Sequence, residues 1–283
     1  MSLSDDDFTF FVTFLRKKSG YNLTPEKRYL LESRLSEFIK KSPYSNFYDL
    51  TKSLRNGEQP ELVNSIIEAM TINETFFFRD RLPFDTYANE VLPRLKDASP
   101  ARKFRIWSAA CSTGQEPYSM AMIMENYAEK FPNISYEIVA TDINRTVLEK
   151  ARQGVYSDLE VHRGLNGDYR SKYFRQEGNK WHLSDKIKSK VSFRQLNLLE
   201  DYGLIGQFDF VLLRNVLIYF DSELKEQIFK KVASKMTSDA YLLLGAAEGI
   251  YDQDHMFHRC PVIQGLYKIR NKSATTLKTG SAD

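Results

Sequence analysis

FRIWSAACSTGQEPYSMAMIM, residues 104–124, holds three patterns in succession. Phe104, Ile106 and Trp107 make a short apolar run, Ser108 to Gly114 are small, and Met120, Ile123 and Met124 then recur at helical spacing. Strand, small-residue loop and helix in that order predict the opening unit of a Rossmann-like α/β fold, with backbone N–H groups and a helix N-terminus beside a ligand. The loop has one glycine, Gly114, so the Gly-x-Gly-x-x-Gly pyrophosphate fingerprint is absent. Glu116 would repel a phosphate there, whereas a carboxylate suits a ligand carrying a cationic amine. That chemistry points to S-adenosylmethionine (SAM), a nucleoside joined to an amino acid through a sulfonium.

Downstream the alternation continues. Residues 136–142 predict a second strand ending in Asp142, 28 residues after Gly114, where a Rossmann sheet places the carboxylate that accepts ribose hydroxyls. A cap on the following helix, 145–152, is the competing reading of Asp142. Residues 191–196 and 208–213 predict the third and fourth strands, ending at Asn197-Leu198 and Arg214-Asn215. A helix over 222–236 turns Leu224, Ile228, Val232 and Met236 inward, 240–245 is a fifth strand, and 262–269 is an antiparallel edge strand. This is a doubly wound sheet, whose ligands bind at the carboxyl ends of its strands. The candidate site residues are therefore Gly114, Glu116, Asp142, Asn197, Leu198, Arg214 and Asn215. Residues 154–192 break the pattern. Four glycines punctuate them, and from Arg170 to Arg194 eight Lys/Arg stand against two Asp/Glu. They predict an inserted group of short strands or turns, solvated basic loops being the plainer reading.

Upstream, residues 1–72 predict a small all-α domain. Ser4 with Asp7 opens a first helix carrying Phe8, Phe11, Val12 and Leu15, and Gly20 stops it. Thr24-Pro25 opens a second helix with Leu31, Leu35 and Phe38 inward and a basic remainder that includes Arg28 and Arg34. That face is either plain solvated surface or a dock for an acidic partner. A third helix spans about 45–54 and a fourth begins near Pro60. Residues 73–103 lead into the sheet. Asn73-Glu74-Thr75-Phe76-Phe77-Phe78-Arg79-Asp80 fits neither helix nor strand period and is either a linker pinned by its rings or a wall of the ligand site. Residues 82–96 form one more helix, with Phe84, Tyr87, Val91, Leu92 and Leu95 inward.

At 283 residues with 42% hydrophobic and 27% charged, the chain has room for a large domain plus a small one. No apolar run approaches the ~18 residues that span a bilayer, and the acidic start MSLSDDDF is unlike a signal peptide. Two cysteines make no disulfide framework and suggest a cytoplasmic location. A net charge of +3 argues against bulk nucleic-acid binding. His255 and His258, with Asp252 and Asp254, are too scattered to predict a metal site, and Cys111 reads as a packing residue. The tail, 272–283, is Lys/Ser/Thr/Gly-rich and predicted disordered.

NETFFFRD, RIWSAACSTGQEPYSMAM, ATDIN, LNLL and LLRNVLIYFD, in this order and spacing, resemble the chemotaxis receptor methyltransferases, the CheR family. The resemblance runs from the helical module to Ile269. It implies a SAM-binding domain, 104–271, with a small β-subdomain inserted at 154–192 and a receptor-docking helical domain at 1–72. It also implies methyl transfer from SAM to glutamate side chains of chemoreceptor cytoplasmic helices, with S-adenosylhomocysteine as the other product. Matched motif by motif, the SAM contacts it implies are Asn73, Thr75, Arg79, Glu116, Asp142, Asn197, Leu198, Arg214 and Asn215, with Gly114 shaping the loop. Arg79 and Tyr219 would lie nearest the reacting atoms, though Tyr219 in Val-Leu-Ile-Tyr-Phe also reads as a packed ring. Arg28 and Arg34 would face the receptor. The short stretch between Tyr173-Phe174 and Val191 resembles members that need no receptor pentapeptide tether. A monomer without metal or nucleic acid is expected. A nucleic-acid methyltransferase is the first rival, but no Asp/Asn-Pro-Pro-Tyr segment follows the fourth strand. A non-catalytic SAM- or receptor-binding module is the second, and the intact set of strand-end polar residues opposes it.

Overall fold

The computed structural model describes residues 2–57, 59–98, 103–130, 134–250 and 256–270. Four helices come first: α1 (Asp5–Ser19), α2 (Arg28–Lys40), α3 (Phe47–Asn56) and α4 (Pro60–Met70), with a 3-10 turn at Pro25–Lys27 leading into α2. Local chemistry sets their limits. Ser4 accepts from the Asp7 N–H and Asn46 from the Asp49 N–H, while Gly20 closes α1 at φ 74°. Phe11, Leu15, Leu31, Leu35, Leu50 and Ile66 are the fully buried centre of the bundle. The buried faces are turned slightly from those expected: Phe14 and Ile39 are buried, while Phe8, Val12 and Phe38 are half-buried.

The helix expected over 82–96 is α5 (Leu82–Thr86) and α6 (Leu92–Ala98) joined through a π turn at Tyr87–Val91, and its five inward residues are all buried. Then follow β1 (Phe104–Ala109), α7 (Gln115–Lys130), β2 (Tyr136–Asp142) and α8 (Arg145–Gln153). The insertion comprises β3 (Val155–Ser157), α9 (Asp158–His162), α10 (Gly167–Tyr173), β4 (Phe174–Glu177), β5 (Lys180–Leu183) and α11 (Asp185–Lys188). Its three strands form a separate antiparallel sheet in the order β3-β5-β4, so it is a subdomain rather than loose loops. The chain returns to the main sheet with β6 (Val191–Gln195), β7 (Phe208–Leu213), a 3-10 turn at Leu217–Tyr219, α12 (Ser222–Ser234), β8 (Met236–Leu244), β9 (Phe257–Arg259) and β10 (Leu266–Ile269).

The main sheet runs β6-β2-β1-β7-β8-β10-β9, parallel through β8 and antiparallel at β10. Alternation assigns its two faces. Phe104, Ile106, Phe210, Leu212 and Leu243 pack with α5–α7, whereas Trp107, Ala109, Val211, Leu213, Leu242 and Leu244 pack with α12. The expected edge strand over 262–269 is corrected. The edge is β9, pairing Arg259 with Tyr267, and β10 lies inside it. A three-residue strand carries too little alternation to be read locally. It also places His258 on a strand, while Asp252, Asp254, His255 and the tail lie outside the described residues. Among the described residues no helix is long and apolar enough to cross a membrane.

Candidate functional site

Register aligns the carboxyl ends of the central strands: Ala109 lies beside Thr141 on β2 and Leu213 on β7, and Asp142 beside Gln195 on β6. Over this edge lies a cleft that encloses about 930 Å³ of open space, solvent at its mouth included. Both domains wall it. Ser19, Tyr21, Ile67 and Met70 come from the helical domain and Cys111, Glu116, Asp142, Arg214 and Tyr219 from the sheet, with residues 71–75 and Arg79 between them.

The loop after β1 owes its shape to small residues in unusual conformations. Ala110, Ser112 and Gly114 have φ of 57°, 50° and 90°. A side chain at Gly114 would stand 2.9 Å from the Ala151 Cβ, so glycine serves both the turn and the close approach to α8. Gly114 shapes the loop and is not itself in the cleft wall. Ser112 is held twice: its N–H donates to Asp142 Oδ2 at 2.8 Å and its hydroxyl to the Asn73 carbonyl at 2.9 Å. Asp142 Oδ1 accepts from the Asn144 N–H at 2.9 Å. Asn144, not Asp142, caps α8. Burial pushes the Asp142 carboxyl above the usual aspartate range, against backbone N–H groups of Asn144, Ser112 and Ile143 that pull it down.

Glu116, on the first turn of α7, accepts from Ser108 Oγ at 2.8 Å and from Arg214 Nη1 at 2.9 Å. The cation it was expected to await in a ligand is thus met first by a protein guanidinium. A carboxylate has about four acceptor sites, so room remains for another donor. Arg214, whose side chain is 1% exposed, also donates Nη2 to the Arg79 carbonyl at 3.0 Å and to Asp80 Oδ2 at 2.7 Å. It ties β7, α7 and the 79–80 turn together. Asn215 follows at φ 60°, and its N–H donates to Glu248 Oε2 at 2.7 Å. Glu248 also accepts from the N–H groups of Leu217 and Gly245. Sequence reasoning notes Gly245-Ala246-Ala247-Glu248 only as a departure from the family pattern and gives Glu248 no role in the site, although an acid in the segment after β8 is the same signal that singles out Asp142.

The 73–80 segment proves to be both of its readings. Phe77 and Phe78 are buried in the core, while Asn73, Thr75 and Arg79 line the cleft. Arg79 donates to the Glu74 carbonyl at 2.9 Å and lies 5.7 Å over the Phe76 ring. Tyr219 is half-buried, its ring 5.7 Å from that of Tyr21. Burial raises its pKa, with Arg79 and Arg34 acting the other way, so the hydroxyl is a donor at neutral pH.

Four candidate residues also make contacts within the chain. Asn197 lines a hollow that adjoins the cleft and shares Ile67 and Ile143 with it. Asn197 Nδ2 donates to the Lys18 carbonyl at 2.8 Å, because the last turn of α1 leaves carbonyls without helical partners. Leu198 is buried with Tyr202 and Ile205. The guanidiniums of Arg28 and Arg34 are both engaged within the helical domain. Arg28 binds Asp5 and the Leu3 carbonyl, and Arg34 donates at 2.8 Å to the carbonyls of Met70 and Thr71, closing the end of α4.

The residues present fit SAM. Two buried donors in the cleft wall, Tyr21 Oη and Arg214 Nε, have no partner among the described residues, as expected of a site built for a polar ligand. Asp142 brings a carboxylate acceptor to the cleft wall and Arg79 a guanidinium donor. Burial raises the Cys111 thiol well above its usual value, so it is no nucleophile. Among the described residues no group of three or more His, Cys, Asp or Glu could hold a metal ion.

Comparison with known proteins gives the same picture. Residues 6–71 match the model of the CheR methyltransferase all-alpha domain, and residues 73–265 that of the CheR methyltransferase SAM binding domain. Chemotaxis protein methyltransferase 1 of Vibrio cholerae is 38% identical over 95% of this chain and 99% of its own. Chemotaxis protein methyltransferase 1 of Pseudomonas aeruginosa is 38% identical over 88% and 92%, and the chemotaxis protein methyltransferase of Borreliella burgdorferi 32% over 92% and 94%. With both domain models in register along one chain, and relatives matched over nearly their whole length, the chain belongs to the CheR family of SAM-dependent chemotaxis protein methyltransferases.

Proposed function

We infer that this enzyme methylates glutamate side chains on chemoreceptor cytoplasmic helices, leaving γ-glutamyl methyl esters and S-adenosylhomocysteine. The observation that carries the reading is the cleft between the two family domains, with Asp142, Glu116, Arg79 and Tyr219 around one space. SAM, when bound, supplies a methyl group on a positively charged sulfur. Asp142 accepts the ribose hydroxyls, Arg79 pairs with the methionine carboxylate, and Glu116 attracts the amino group. A glutamate has an ordinary pKa of about 4.3, so the acceptor arrives ionised and needs no base. No histidine is among the described residues that line the cleft. Alignment in a dry pocket is then the main work, and the Tyr219 hydroxyl orients the incoming carboxylate.

The insertion supports a protein substrate. Of its basic residues, Lys172, Arg175, Lys186, Lys188 and Lys190 pair with acids of this chain, which removes much of the field a nucleic acid would need. The β4–β5 hairpin turns through Gly178-Asn179 alone, in keeping with action without a receptor tether. Methyl-labelled SAM should label receptor cytoplasmic fragments, and mild alkali should release the label as methanol. Label that survives alkali, or that appears on RNA, would overturn the reading.

Two further outcomes are expected. The folded-state pKa of Asp142 is raised, so its contribution to stability is present in full below the unfolded value and is lost as pH rises through the folded one. SAM needs the ionised form. Affinity measured by calorimetry should therefore begin to fall, on acidification, above the pH where an ordinary aspartate titrates, and Asp142→Asn should flatten that limb. Arg34→Ala should cost about 2 kcal/mol of stability, since it removes two charged hydrogen bonds, and should weaken SAM binding, because Met70 and Thr71 line the cleft. Arg28→Ala, whose acid partner Asp5 is 93% exposed, should change stability by less than about 1 kcal/mol. Urea titration with SAM calorimetry separates the two.

A further inference from the structure

We propose that Glu68, on α4 of the helical domain, is a positioning residue of the cofactor site: it holds the loop that aims Asp142. The proposal rests on the SAM-site reading above. Asp142 is followed by Ile143, Asn144 and the first turn of α8, and the helical domain grips this turn. Glu68 Oε1 accepts from the backbone N–H of Arg145 at 3.0 Å and Oε2 from the Thr146 hydroxyl at 2.8 Å. The Arg145 N–H is one of the helix N-terminal donors that has no intrahelical acceptor, and a carboxylate there also meets the positive end of the helix. Glu68 is therefore bound to the main chain of the β2–α8 connection, not only to a side chain.

A closed ring of hydrogen bonds carries this grip to the site. Asn144 Nδ2 donates to Thr71 Oγ1 at 2.8 Å, and Asn73 Nδ2 to the same oxygen at 3.2 Å. The Asn73 carbonyl accepts from Ser112 Oγ at 2.9 Å, the Ser112 N–H donates to Asp142 Oδ2 at 2.8 Å, and the Asn144 N–H to Asp142 Oδ1 at 2.9 Å. Thr71 Oγ1 itself donates to the Glu68 carbonyl at 2.8 Å. Every link is within ordinary hydrogen-bond range. The ring passes through α4's end, the interdomain segment, the β1 loop and the β2 tip, so releasing the α4 contact would loosen the loops that hold Asp142. Glu61 provides the contrast. It pairs with the Arg145 guanidinium at 2.8 Å but is 79% exposed and touches no main chain of the loop.

Steady-state methylation with varied SAM tests the proposal. Glu68→Ala should raise KM for SAM about tenfold with kcat within twofold. Glu68→Gln, which can still accept from the Arg145 N–H, should recover most of that loss. Glu61→Ala should leave KM within twofold of the parent. Thr71→Val, which breaks the ring without touching the ion pairs, should raise KM in the same direction and stands in if Glu68→Ala folds poorly. An unchanged KM in folded Glu68→Ala and Thr71→Val proteins would overturn the proposal, as would a Glu61→Ala loss equal to that of Glu68→Ala. Absence of SAM binding by the parent protein would instead refute the site reading itself.

Discussion

Asp142→Ala is expected to weaken SAM binding by roughly 100-fold. Two ribose hydroxyls donating to one carboxylate are charge-assisted hydrogen bonds worth about 1.5–3 kcal/mol each, and about 1.4 kcal/mol is a factor of ten in affinity. The loss has a second origin. The substitution leaves the N–H groups of Ser112 and Asn144 without their acceptor, and both lie in loops that wall the cleft. Asp142→Asn keeps one acceptor and should fall between the two. Stability should follow the same order. Asn removes a charge that burial disfavours but turns an NH2 toward the N–H of Ser112 or Asn144, so its unfolding midpoint without SAM should lie between those of the parent and Asp142→Ala. Calorimetry and thermal unfolding on the same proteins check both. An affinity within threefold of the parent for Asp142→Ala would remove this residue from the ribose site.

What could be read locally and what could not divides along the range of the interactions. The limits of β2 and β7 follow from apolar runs closed by polar residues, and the observed strands Tyr136–Asp142 and Phe208–Leu213 coincide with them. Gly114, Glu116, Asp142 and Arg214 stand out because a parallel sheet delivers every strand end to one edge. The partners of those residues are not legible. Glu116 and Arg214 are 98 positions apart, and only the pairing of β1 with β7 brings them together. Arg28 and Arg34 look like surface charge because their acceptors, the carbonyls of Leu3, Met70 and Thr71, are main-chain atoms that no sequence pattern displays. The tie from Asn197 to the Lys18 carbonyl is hidden for the same reason. Where a candidate residue's role depends on a main-chain partner far along the chain, its type and place suggest a site, but only the fold decides whether the side chain is free to serve it.

Arg214→Met is expected to destabilise the protein by about 3–5 kcal/mol, the usual consequence of removing one member of a buried ion pair. That is a large part of the ~5–15 kcal/mol that holds a typical domain folded. Methionine fills similar space, so the loss would come from charge rather than volume: Glu116, whose side chain is 11% exposed, would stay buried without its cation. The double variant Arg214→Met/Glu116→Gln removes that stranded charge and should recover more than half of the stability in urea titration. It should not recover methyl transfer. Arg214 also holds the Arg79 carbonyl and Asp80, in a turn where Phe78, Asp80 and Arg81 have φ of 51°, 67° and 43°. Such left-handed residues cost of order 1–3 kcal/mol each and persist only when their surroundings hold them. Without the guanidinium the turn should relax and carry Arg79 away from the cleft. Recovery of both stability and transfer in the double variant would mean that the 79–81 turn holds itself. Recovery of stability alone would show that the buried pair serves the site, with the fold bearing its cost.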